Sequence, residues 1–115
     1  MAILIDTNIL IEIHKGREEL KPDYVISVIS LLEFLLGVKN EENWKRSIEE
    51  TLLIIPLDNK VVLMVSKLYK KLKRRGELID IRNLIIGATA IVYNIPLKSK
   101  DKDFEKLTEF GLVLI

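Results

Sequence analysis

Five acidic side chains and one amide stand beside apolar runs where the chain is expected to change direction. Asp6 ends Ile3-Leu4-Ile5, and Glu33 comes soon after Tyr24-Val25-Ile26-Ser27-Val28. Asp80 and Asn83 lead into Leu84-Ile85-Ile86, and Asp101 and Asp103 follow Pro96-Leu97-Lys98. Carboxylates brought to one place repel one another unless a divalent cation neutralises them. With the cation, they can activate a water for in-line displacement at phosphorus. Cysteine is absent and His14 is the only histidine, which excludes thiolate and His-rich metal sites. A set of hard oxygen donors favours Mg²⁺ or Mn²⁺.

Each acid also has a plain structural reading. Ser30-Leu31-Leu32-Glu33 has the form of a capping box, which satisfies helix-start N–H groups without any metal. Asp6, Asp58, Asp80 and Asp101 all suit the N-cap position. His14 falls at a helix end, where a cation complements the dipole, and is not a candidate base.

The elements that must place these side chains alternate. Strands are expected at Ala2–Ile5, Tyr24–Val28, Leu53–Pro56, Pro96–Lys98 and Leu112–Leu114. Helices are expected at Thr7–Lys15, Ser30–Gly37, Glu41–Thr51, Asn59 to about Arg75, Asp80 to about Tyr93, and Asp101–Phe110. Gly16, Gly37, Gly76 and Gly111 supply stops. Short unbroken apolar strands between helices predict a parallel sheet covered on both faces. The fold class is therefore α/β: a three-layer α/β/α sandwich with a central, mostly parallel sheet of four or five strands. Its strand tips, and hence the acids, share one edge.

The 115 residues suffice for one domain spanning 1–115, with 49% hydrophobic and 30% charged residues, a globular balance. Met1-Ala2 has no basic leader region, and Leu84–Ile95 is too short to cross a bilayer, so a cytoplasmic protein with no membrane partner is expected. Charge is unevenly spread. Residues 1–58 carry 6 basic against 11 acidic side chains, and residues 59–115 carry 12 against 6. Lys67, Lys70, Lys71 and Arg74 recur at helical spacing opposite Val65, Leu68 and Leu72. They read either as a phosphate-tracking stripe for RNA or as a solvated outer face. Arg82, between Asp80 and Asn83, is placed to meet a phosphate or to pair with an acid. Trp44 shares a helical face with Ile48 and Leu52 and reads as core.

Four short motifs carry a resemblance. Ile5-Asp6-Thr7-Asn8-Ile9-Leu10, Ser30-Leu31-Leu32-Glu33-Phe34-Leu35-Leu36-Gly37, Asn83-Leu84-Ile85-Ile86-Gly87-Ala88-Thr89-Ala90 and Ser99-Lys100-Asp101-Lys102-Asp103-Phe104 stand in that order over nearly the whole chain. In these the sequence resembles the PIN domain family, of the small prokaryotic kind found as the toxin of VapBC toxin–antitoxin pairs. The resemblance implies a divalent-metal-dependent endoribonuclease that cleaves RNA phosphodiesters with a metal-activated water. Asp6, Glu33 and Asp101 are then the catalytic metal ligands, with Asp80 and Asp103 as further candidates. Thr7, and with it Ser30, would support the acids. A VapB-like antitoxin partner and a homodimer are implied as well. The third motif departs from the family pattern: Asn83 stands where the family usually has Asp, and an amide brings no charge. That motivates an alternative, a catalytically weakened PIN-like domain that binds RNA or an antitoxin. A receiver-type phospho-acceptor domain fits less well, because Asp6 has no acidic neighbour, and a dehalogenase-type site needs Asp where Asn8 stands.

Overall fold

The computed structural model describes residues 1–115. Its order is β1 (Ile3–Ile5), α1 (Thr7–His14), β2 (Tyr24–Ser27), α2 (Val28–Leu36), α3 (Glu41–Thr51), β3 (Leu53–Ile55), α4 (Asn59–Arg74), α5 (Ile81–Tyr93) and β4 (Leu97–Lys98), followed by a 3-10 helix at Lys102–Phe110. The four strands form one sheet in the order β3-β2-β1-β4. Every pairing is parallel, with Leu4 opposite both Val25 and Leu97.

Side chains alternate across each strand, so the sheet separates two apolar cores. Leu4, Val25 and Leu97 pack with Val61, Leu68 and Leu72 of α4, Leu84 and Ile86 of α5, and Phe104 and Leu107 of the 3-10 helix. On the other face Ile5, Tyr24 and Ile26 pack with Ile9 and Leu10 of α1, Phe34 of α2 and Ile48 of α3. Helix, sheet and helix make the expected three layers. No helix is long and apolar enough to cross a membrane. Gly87 lets the 3-10 helix lie close on α5: a Cβ there would fall 2.4 Å from a methyl of Leu107, which is itself fully buried.

Two local expectations are corrected. The segment Leu112–Leu114 is not a fifth strand. It makes one isolated parallel bridge, Leu97 to Leu114, because β4 is only two residues long and offers no further ladder. Helix α2 starts at Val28, and its N-cap is Ser27, whose Oγ accepts the Ile29 N–H at 3.2 Å. Ser30 therefore lies inside the helix, fully buried, and Glu33 stands beyond its first turn. The capping-box reading of Ser30 and Glu33 falls with that shift. Trp44 does pack inward, its ring edge-on to His14 at 4.6 Å and to Phe34 at 5.8 Å.

The chain lays down β1, β2 and β3 in one direction and then returns to place β4 on the other side of β1. The strand order thus switches between β1 and β4. In open parallel sheets the crevice beyond the carboxyl ends of the strands at such a switch is where ligands bind.

Candidate active site

Asp6 follows β1 at that switch and caps α1: its Oδ1 accepts the Ile9 N–H at 3.0 Å. The capping reading is correct for this oxygen but leaves the other one over. Oδ2 accepts a hydrogen bond from the Ser99 hydroxyl, on the segment just past β4. Ser99 Oγ in turn accepts the backbone N–H of Asp101 at 2.9 Å. Asp101 repeats the division of labour. Its Oδ1 accepts the Asp103 N–H at 2.9 Å, and its Oδ2 accepts the Asn83 side-chain N–H at 3.1 Å. One serine therefore ties the two switch-point acids together, and an amide from the start of α5 closes the group.

Burial sets the electrostatics. Asp6 is 3% exposed. Desolvation pushes its carboxyl above the ordinary carboxylate range and the Asp101 charge adds to the rise, while the Ser99 and Ile9 donors pull the other way. A buried carboxylate beside a second carboxylate is what a bound cation would relieve.

Glu33 reaches the same region from α2. Thr7 Oγ1 lies 2.6 Å from Glu33 Oε1 and 3.0 Å from Ser30 Oγ. Thr7 has one hydroxyl proton and a carboxylate only accepts, so that proton goes to Glu33 and Ser30 supplies its own to Thr7. The other Glu33 oxygen faces Arg82 Nη1 at 3.2 Å. Arg82 is gripped by Asp80, with Nε to Oδ1 at 3.1 Å and Nη2 to Oδ2 at 2.8 Å. The grip holds the Asp80 carboxyl down at about 2. Asp80 also caps α5 through the Arg82 N–H at 2.8 Å.

Asp6, Thr7, Glu33, Arg82 and Asn83 share the lining of an open cavity of about 380 Å³. Leu36, at the end of α2, forms part of its wall. The structure brings Asp6, Asp101 and Asn83 into one hydrogen-bonded group, with Glu33 and Thr7 across the cavity from it. It does not bring in Asp103, whose carboxylate lies 4.0 Å from Lys106, nor Asp80, which is spent on Arg82. No three acidic or histidine side chains converge on a single point. Lys67, Lys70, Lys71 and Arg74 are all exposed on the outer side of α4, with Leu68 and Leu72 buried beneath them. Ser99 is a site residue that the sequence reading does not single out. Its signal is its place two residues before Asp101, the spacing of a Ser/Thr turn.

The donors fit a hard divalent cation in kind. They are carboxylate and amide oxygens, with one acid buried and destabilised by its neighbour. Glu33 fits less directly, because Arg82 already neutralises it.

The PIN domain family matches residues 3–109. The protein called Ribonuclease VapC1 of Methanocaldococcus jannaschii is 42% identical over 115 residues, covering 96% of this chain and 84% of that protein. Among solved structures, VapBC-1 from nontypeable Haemophilus influenzae superposes with a TM-score of 0.79 at 27% identity, covering 100% of this chain and 97% of the other. VapBC2 from Rickettsia felis, solved bound to a DNA fragment from its promoter, superposes with a TM-score of 0.76 at 25% identity, covering 100% and 98%.

Proposed function

The chain belongs to the PIN domain family, and on that footing we propose that it is a divalent-metal-dependent endoribonuclease of the VapC toxin type. The observation that carries the reading is the Asp6–Ser99–Asp101 link, two acids held together at the switch point of a parallel sheet. Similarity to proteins named as VapC ribonucleases and as VapBC complexes supports the same assignment.

Asp6 and Asp101, with the Asn83 amide oxygen, are the residues that would hold Mg²⁺ or Mn²⁺. When bound, the ion supplies charge neutralisation and Lewis-acid activation of a water toward phosphorus. The chain's own residues do the rest. Ser99 fixes the separation of the two acids. Thr7, backed by Ser30, orients the Glu33 carboxylate toward the cavity, where it can take a proton from an attacking water. Asp80 keeps Arg82 at the cavity mouth. The exposed basic residues of α4, Lys67, Lys70, Lys71 and Arg74, would track RNA phosphates. The partner is a VapB-like antitoxin, and the working form is a homodimer. The exposed Leu32 and Leu36 of α2, one of them in the cavity wall, offer apolar surface for an antitoxin segment.

Cleavage of single-stranded RNA in Mg²⁺, set beside Glu33→Gln and Asp101→Asn proteins, tests the assignment. Loss in both variants is expected, and undiminished cleavage in both would refute it. A second reading, a weakened nuclease retained for binding, is favoured by one feature: Asn83 meets Asp101 as a neutral donor where a third carboxylate would add charge. Under that reading Asn83→Asp awakens cleavage in an otherwise silent chain.

A further inference from the structure

Arg82 is the only basic residue lining the cavity between Asp6 and Glu33. Two acids share it. The Asp80 carboxylate takes the Nε–Nη2 edge of the guanidinium in a bidentate grip. The remaining nitrogen, Nη1, lies 3.2 Å from Glu33. These two contacts differ in kind. Asp80 is two residues away on the same turn, caps the same helix and has no other side-chain partner, so it acts as a fixed brace. Glu33 comes from a different helix on the far side of the cavity and has a second partner in Thr7. The Arg82 side chain is 54% exposed, so an oxyanion arriving from solvent can reach Nη1 without displacing anything but Glu33.

A guanidinium braced in this way has already lost much of its rotamer freedom, and its free edge matches the geometry of phosphate oxygens. We propose that Arg82 is a substrate-phosphate-binding residue held in reserve: braced by Asp80, it caps Glu33 in the free protein and transfers its Nη1 edge to an RNA phosphate when RNA enters. The transfer has two consequences. A phosphate is positioned beside the acids that would otherwise repel it, and Glu33 is uncovered only when a phosphate has taken its place. The proposal rests on the reading of the cavity as a nuclease site.

The test is equilibrium binding of a fluorescein-labelled single-stranded DNA oligonucleotide, in chelator, by anisotropy. DNA presents the same phosphates without the 2′-hydroxyl. Arg82→Ala is expected to weaken binding about five- to tenfold, as for loss of a charge-assisted contact. Arg82→Lys restores only part, because a point charge cannot satisfy Asp80 and a phosphate together. Glu33→Gln keeps an oxygen for Thr7 and releases Arg82, so it tightens binding about threefold or more. The decisive comparison is the pair of changes together. In the Arg82→Ala background, Glu33→Gln should change affinity no more than Asp101→Asn does, since both then remove only a charge. Wild-type affinity in Arg82→Ala, or an undiminished gain from Glu33→Gln in that background, overturns the proposal. The assay needs neither metal nor turnover. Its failure therefore leaves the nuclease reading standing, whereas Arg82-dependent binding by a chain that cleaves no RNA contradicts the nuclease reading alone.

Discussion

The Asn83 side chain donates to Asp101 Oδ2 across 3.1 Å, so a neutral amide quiets one of the two acids at the switch point. Asn83→Asp replaces that donor with a third negative group facing Asp101. In chelator the added repulsion should cost about 1 kcal/mol, or about 4 °C in Tm. Saturating Mg²⁺ should reverse the loss, because a ligand of the folded state stabilises by mass action. Cleavage in Mg²⁺ should rise about tenfold. Thermal melts in chelator and in Mg²⁺ check the first two outcomes, and identical shifts in both media would contradict them.

Ser99→Ala cuts the link between Asp6 and the Asp101 backbone. It leaves a buried Asp6 oxygen without its hydroxyl donor. The expected cost is about 1–3 kcal/mol in urea unfolding, the range for an orphaned buried acceptor. Ser99→Thr keeps the hydroxyl and should lose little. RNA cleavage should fall in the alanine variant and persist in the threonine variant.

Two acids should give stability opposite dependences on pH. Burial, with the Asp101 charge added, raises the Asp6 carboxyl, so the folded state binds that proton more tightly than the unfolded chain does. Its contribution to stability therefore falls as pH rises from the ordinary value of 3.8 through the raised one, and stays lost above it. Asp6→Asn is expected to melt at or above the wild-type temperature at neutral pH in chelator. Asp80 is the reverse case. Arg82 holds it at about 2, so its contribution is fully present above 3.8 and fades as pH falls toward about 2. The pair is exposed, so the effect of Asp80→Asn is small, and it should vanish in the most acidic melts.

Periodicity and caps make most of the architecture legible in the sequence. Asp6, Asp58, Asp80 and Asp101 read as caps by residue type and are caps. The start of α2 is not legible, because Ser27 and Ser30 are both plausible caps by residue type. Packing decides between them by drawing the β-branched Val28 and Ile29 into the helix against their own preference. The last strand fails for a different reason: a two-residue partner cannot support a ladder. In the site, spacing along the chain points to the acids but not to how each oxygen is used. Ser99 to Asp6 spans 93 residues of sequence, and the Arg82–Glu33 pair joins two helices. Such long-range pairings follow from strand order, which local patterns do not encode.

The exposed basic residues of α4 give a further prediction. Changing Lys67, Lys70, Lys71 and Arg74 to Gln together should leave Tm nearly unchanged, because only their stems touch the protein. If they bind phosphates, RNA affinity falls uniformly across sequences. The slope of log affinity against log salt then shrinks by about 0.7 for each phosphate no longer neutralised, the single-strand value. Unchanged affinity and slope would assign them to a solvated face.

The proposed function makes Asp6 the hub of a cation-dependent RNA-cleaving site. Its most direct test is the initial rate of cleavage of a single-stranded RNA by the wild-type chain and by Asp6→Asn, each in Mg²⁺, in Mn²⁺ and in chelator. The expected result is cleavage by wild type in either metal, none in chelator, and a rate lower by about a hundredfold or more in the variant. Equal rates for the two proteins, or cleavage that survives the chelator, would contradict it.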